Sequence, residues 1–145
     1  MKSKLLEECG SRKTFALIFQ TGDEVMSQLK GFARDGRLSG AHFTAIGAFQ
    51  EVMIGYFDWS RKDYKRIHFR EQVEVVSLIG DVSEGADGKP NVHAHVVLVR
   101  SDGTALGGHL LEARVRPTLE VILVESPEHL SRKYDPESGL ALINL

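Results

Sequence analysis

Residues 92–110 read VHAHVVLVRSDGTALGGHL, and this stretch decides the fold. Val92 to Arg100 is rich in β-branched residues and reads as a strand. Asp102-Gly103 is a hairpin signal, and Gly107 to Arg116 returns antiparallel beside it. His93 and His95 stand two apart, so on a strand both imidazoles leave the same face. If the turn has two residues, Ser101 pairs with Thr104 and His95 faces Leu110, with His109 one position away. A bulge at Gly107-Gly108 would shift the register by one and bring His109 onto the face of His93 and His95. Three neutral imidazoles so placed suit a zinc ion, with a fourth position open to water or a small-molecule ligand. Copper, nickel and iron also accept imidazole. The alternative is three polar residues hydrogen-bonded within a sheet. A cupin's His-x-His would be followed by a Glu where Leu98 and Val99 stand here.

Working outward, the flanking segments are also strands. Thr14–Gln20, His42–Ala48, Glu51–Trp59, Tyr64–Phe69, Val73–Val82 and Thr118–Glu125 read as strands, the first and last of them apolar and the fifth a long β-rich run broken by Gly80. One segment differs. Val25, Leu29, Phe32 and Ala33 form a single helical stripe, with Thr21 and Glu24 as a capping box and Gly36 as the stop. Residues 1–11 read as a loose N-terminus. Residues 127–145 read as a C-terminal tail, with a helical turn over Pro127–Arg132 and a last strand near Leu140–Ile143. The expected class is α+β: one amphipathic helix on a mostly antiparallel sheet, in a single domain over 1–145 with its core at about 12–126. The strands are numerous for one helix, so part of the sheet calls for cover from another subunit.

Composition narrows the function. The chain has 145 residues, 42% hydrophobic and 26% charged, which is ordinary for a globular protein. Lys+Arg number 18 against 20 Asp+Glu, a net charge of -2, which offers no surplus for neutralising phosphates. A single cysteine, Cys9, excludes an intrachain disulfide and reads as inert. No apolar run approaches the roughly 18 residues of a membrane-spanning helix, and acids stand where a signal peptide has its apolar region. The expected location is the cytoplasm, with no membrane partner.

Of six histidines, His42, His68 and His129 stand apart and read as surface or packing residues. Glu74 and Glu120 each interrupt an apolar strand. They face outward in strand alternation, or serve the histidines as general base or supporting carboxylate, including across a subunit boundary. Trp59, Arg61, Lys62, Tyr64, Lys65 and Arg66 form a basic-aromatic patch, of the kind that touches nucleic-acid backbones or tips a solvated hairpin. Gly80 to Gly88 lacks the Gly-Lys-Ser/Thr of a phosphate loop, and Ser77 lies in no nucleophile elbow.

Read together, these segments resemble the plant and prokaryote conserved (PPC or PCC) domain family, from about Phe15 to about Glu125. The resemblance rests on Ala41-His42-Phe43-Thr44-Ala45-Ile46-Gly47-Ala48, Gly55-Tyr56-Phe57-Asp58 and Val73-Glu74-Val75-Val76-Ser77-Leu78-Ile79-Gly80. It continues through Asp87-Gly88-Lys89-Pro90, His93-Ala94-His95-Val96, Gly107-Gly108-His109-Leu110, Val115 and Thr118-Leu119-Glu120-Val121. It implies an α+β homotrimer of the stand-alone prokaryotic type, with a metal at His93, His95 and His109. It also implies a DNA-binding or regulatory role, inherited from plant relatives that carry an AT-hook. Here the nearest text, Arg34-Asp35-Gly36-Arg37, lacks the proline of that element. Two functions follow: a homotrimeric binding or assembly module holding a metal, or a small zinc-dependent, hydrolase-like enzyme using metal-bound water.

Overall fold

The computed structural model describes residues 1–126 and 128–145. In order they form β1 (Lys2–Cys9), β2 (Arg12–Gln20), α1 (Val25–Asp35), β3 (Gly40–Asp58), β4 (Asp63–Phe69) and β5 (Val73–Glu84). Then come β6 (Pro90–Val99), β7 (Ala105–Glu125), β8 (Ser131–Asp135) and β9 (Leu140–Asn144). The class is α+β, as the patterning predicts.

Two long strands, β3 and β7, are the spine. They pair antiparallel from Ala41↔Glu125 to Gly55↔His109, with register shifts near Gly47, Phe49 and Met53. Each was expected as two strands. Bulges stand near the expected breaks between them, so the chain bends without leaving the sheet. Gly47 makes one bend possible: its φ is +153°, and a Cβ there would lie 2.3 Å from the Thr118 carbonyl oxygen. β5 pairs with β3, β6 with β5, and β7 with both β6 and β3, so these four strands close a hydrogen-bonded circuit. β2 extends the sheet beyond β7, and β4 pairs with the far half of β3.

The core lies on the inner face. Phe19, Phe43, Phe49, Leu78, Leu98, Leu110, Leu119 and Leu123 are fully buried there, each contributing about 1.5–3 kcal/mol. The helix lies against β6 and β7 and buries Val25, Met26, Leu29 and Ala33. Phe32 of its stripe is only half-buried and packs edge-to-face on Phe15 at 5.2 Å. The cap differs from expectation. Gly22, at φ +90°, turns the chain before the helix starts, so Glu24 is the N-cap and Thr21 is not. The Glu24 carboxylate accepts from Met26 N at 3.2 Å, Ser27 N at 2.7 Å and Ala113 N at 3.3 Å. One side chain thus satisfies two free helix donors and ties the helix to β7.

The ends also differ. Residues 2–9, expected to be loose, form β1 and pair with β2 from Lys2↔Ile18 to Cys9↔Arg12. Backbone ladder bonds hold this strand, not burial, so its polar sequence carries no strand signal. For the helical turn expected over 127–132, Pro127 lies outside the described residues; residues 128–130 are not helical and Ser131 opens β8. The expected final strand is present as β9.

The outer face of the circuit, extended by β2, carries Ile18, Ile46, Val76, Ile79, Val97 and Ile122, each between 39% and 59% exposed. Most of them, with Thr44 and Glu120, line a shallow depression of about 420 Å³. Among the described residues no helix is long and apolar enough to cross a membrane.

Candidate metal centre

The β6–β7 hairpin sets the site. Its loop has three residues, not two: Arg100 N donates to Thr104 O at 3.1 Å, and Gly103, at φ +82°, donates to Arg100 O at 2.9 Å. Asp102 Oδ1 accepts from Thr104 N at 2.9 Å and braces the turn. The extra loop residue moves the register by one, so His95 faces His109 directly. The shift therefore originates in the loop, and no bulge is needed at Gly107-Gly108. Leu110, opposite His95 in a two-residue turn, points inward and is fully buried. One position separates a core leucine from a surface ligand because strand side chains alternate. The two glycines serve close approach instead: a Cβ on Gly107 would lie 2.5 Å from Val96 O, and one on Gly108 2.8 Å from Gly55 O.

His93, His95 and His109 converge on the outer face. Their ring centroids are 5.1–5.3 Å apart, and one ligand nitrogen from each lies within 4.8 Å of the others. Among the described residues this is the one cluster that brings three metal-competent groups together. Burial, then the charges of His93, His95 and Arg132, pushes the His109 imidazole down to about 4. Burial and then His93 also lower His95. Both shifts favour the neutral imidazole that a metal requires. His109 Nδ1 is buried with no hydrogen-bond partner among the described residues. Such an orphaned polar atom is unfavourable unless an unseen partner satisfies it. Three converging imidazoles, one with a buried nitrogen that lacks a partner, fit a zinc-type ion.

Three neighbours were not found by sequence reasoning. Tyr64 of β4 stacks on His109 at 4.5 Å and 22°, so one member of the basic-aromatic patch belongs to the site. Burial raises its phenol, with Arg132 opposing. Asp81 stands opposite His93 across β5–β6, its Oδ2 3.3 Å from His93 Nδ1. Arg132, from β8, reaches Asp81 Oδ1 at 2.8 Å. Burial opposes ionisation of Asp81, but the hydrogen bonds and charges of His93 and Arg132 outweigh it and hold the carboxyl below its usual range. Asp81 carried a readable signal, a carboxylate interrupting an apolar strand. Arg132 and Tyr64 carried none.

The remaining candidates separate. His42 is exposed and lines an open hollow of about 360 Å³ beside His93 and His95, with Phe43, Thr44, Ile79, Gly80 and Ala94. His68 lies on β4 near Glu51 at 3.9 Å, and His129 lies near Glu84 at 3.6 Å; neither joins the triad. Glu74 pairs with Val99, four residues along β6 from His95, and is exposed. Glu120 pairs with Ile18 and Ile46 on the apolar outer face. Among the described residues the carboxylate that touches the triad is Asp81. Cys9 is exposed and unpaired.

Solved structures share this fold over nearly the whole chain. A metal-containing protein of Archaeoglobus fulgidus is 36% identical, with 100% of each chain covered and a TM-score of 0.85. A plant- and prokaryote-conserved protein of Pyrococcus horikoshii is 34% identical, covering 99% of this chain and 95% of that one, with a TM-score of 0.85. A protein of Bacteroides thetaiotaomicron, provisionally described as DNA-binding, is 27% identical over 98% and 96% of the two chains, with a TM-score of 0.86. No curated protein is significantly similar in sequence. The Plants and Prokaryotes Conserved (PCC) domain matches residues 6–127, and the chain belongs to that family.

Proposed function

We propose that this PCC-domain protein is a homotrimeric binding module that holds one zinc ion per chain at His93, His95 and His109. The observation that carries the reading is the convergence of three imidazoles, one with a buried unpaired nitrogen. The metal-containing relative from A. fulgidus supports it. A bound zinc ion would supply Lewis acidity at an open fourth position. The chain's own part is to keep the imidazoles neutral, orient them, and offer the hollow beside His42 and Ile79 to a small-molecule ligand. Elemental analysis at known subunit mass tests this. About one metal per chain is expected, and none overturns it.

Assembly is supported by the outer sheet face. An apolar face this broad is rare on a monomer. Two further copies of the chain are its proposed cover. Native mass spectrometry should give three times the 16.1 kDa chain mass, and a monomer overturns this part. Glu74 and Glu120 would serve the centre as general base only if a neighbouring subunit delivers them, since neither reaches it within one chain.

The open coordination position favours a second reading, a small zinc-dependent enzyme of hydrolase type. Turnover of activated esters that is lost on chelation and restored by Zn²⁺ would support it. Unchanged turnover after chelation would remove it. DNA binding draws support from the provisionally described relative and from exposed Tyr56 and Trp59 beside Arg61, Lys65 and Arg66. The net charge of -2 argues against it. Electrophoretic shifts with duplex DNA at low salt decide; no complex removes the DNA role.

A further inference from the structure

The contacts of Asp81 go beyond what an ion pair needs. Its two oxygens have different partners: Oδ2 faces His93 Nδ1 at 3.3 Å, and Oδ1 accepts from Arg132 Nη2 at 2.8 Å. Arg132 is only 7% exposed. Its Nε donates to Ser83 Oγ at 2.7 Å and its Nη1 to the Ala141 carbonyl at 3.0 Å. Ser83 is itself fully buried. The guanidinium cannot turn without breaking bonds to β5 and β9 together, so the orientation of the carboxylate it holds is fixed. The other oxygen is left for His93.

That leaves one arrangement of the neutral ring. A carboxylate oxygen accepts, so His93 must donate from Nδ1, and its Nε2 then carries the free lone pair. A metal-ligating histidine commonly gives its other ring N–H to a carboxylate, which sets tautomer and ring orientation. We infer that Asp81 and Arg132 are positioning residues of the metal centre: Asp81 holds the His93 proton on Nδ1 so that Nε2 is free to ligate, and Arg132, from the C-terminal hairpin, orients the carboxylate so that its other oxygen faces His93. This rests on the metal reading of the triad. It adds that the β8–β9 hairpin, remote in sequence from the three ligands, is part of the centre.

The test exploits the one-way chemistry of arginine. In Asp81→Asn, Arg132 can only donate, so it takes the amide oxygen. The amide NH₂ then faces His93 Nδ1, which must accept. The ring proton moves to Nε2, the nitrogen a metal needs. Nitrogen-15 NMR of the metal-free protein at pH 8 should show His93 as the Nδ1–H tautomer in the wild type and as Nε2–H in D81N. Zn²⁺ titration should show affinity about 10–100-fold weaker in D81N. The double variant D81N/R132M frees the amide to present its oxygen to His93. The Nδ1–H tautomer and part of the affinity should return. A merely structural clasp would lose more in the double variant, not less.

An Nε2–H tautomer in the wild type overturns the assignment without any variant. So does a wild type that binds Zn²⁺ no more tightly than a D81N whose tautomer is unchanged, and the metal reading then survives. If the tautomers behave as stated while the wild type takes up no Zn²⁺, the positioning role stands and the metal reading fails.

Discussion

Two hairpins of this protein are built on opposite principles. The β6–β7 hairpin buries Val92, Ala94, Val96 and Leu98 on one face and presents His93 and His95 on the other. The β8–β9 hairpin has no buried apolar residue in either strand. It joins the body by a single parallel bridge, Glu84↔Ser131, by the Glu84 N to Leu130 O bond of 2.7 Å, by the bonds of Arg132, and by Lys62 Nζ to Pro136 O at 2.8 Å. Apolar area holds the first and is insensitive to small shifts. A few directional polar contacts hold the second, and one lost partner releases it. The first hairpin supplies the ligands and the second aligns one of them.

The largest effect should come at the ligands. His95→Ala should reduce metal content from about one per chain to none by elemental analysis, while His129→Ala keeps it; equal content in both breaks the site assignment. Next is the apolar core of the first hairpin. Leu98→Ala, at a fully buried position, should cost about 2–5 kcal/mol in urea unfolding. Leu142→Ala on β9 is exposed and should stay within about 0.5 kcal/mol. Similar costs at both would erase the contrast between the hairpins. A more selective effect follows from Arg132→Met, which removes the bonds to Asp81, Ser83 and Ala141. Hydrogen exchange should then quicken over 131–144 and leave 92–110 protected. Uniform quickening of both would show that the second hairpin carries global stability.

The same contrast explains what was legible in the sequence. Elements stabilised by burial leave a periodic trace, and Val25-Leu29-Ala33 on the helix and Val92 to Val99 on β6 were read from it. Elements stabilised by backbone pairing or single polar contacts leave none, so β1 was taken for a loose end and the start of β8, Ser131 and Arg132, for the end of a helical turn. Register was the finest failure. Asp102-Gly103 suggested a two-residue turn, and an αL glycine closing a three-residue loop looks the same in one dimension. The three histidines were found because spacing on a strand is enough to group two of them and a turn to add the third. Asp81 and Arg132 could not be paired with His93, since only the register of β5 on β6 and the docking of β8 bring them together. Glu74 and Glu120 drew attention by the same charged-in-strand signal that Asp81 carries, and the register alone separates the three.

The last effect is a titration, and it tests whether the ligand face is tuned before any metal arrives. Burial, together with the charges of His93, His95 and Arg132, brings His109 down to about 4 from the ordinary 6.5. The folded chain therefore keeps this ring neutral where the unfolded chain already protonates it. Between those two values the unfolded state binds more protons, so stability falls as pH falls. The contribution is complete above about 6.5, declines on acidification, and is exhausted near 4. His95 acts in the same direction. The lowered carboxyl of Asp81 acts below 3.8, outside this window. Urea unfolding of metal-free protein at pH 7, 5.5 and 4.5 should give steadily lower midpoints, and His109→Asn should flatten the trend. With Zn²⁺ present the decline should steepen, because protons then compete with the ion for the same nitrogens. Midpoints that do not move between pH 7 and 4.5 would mean that the triad is solvated like any surface histidines, and the distinction between a built ligand face and an ordinary sheet surface would be lost.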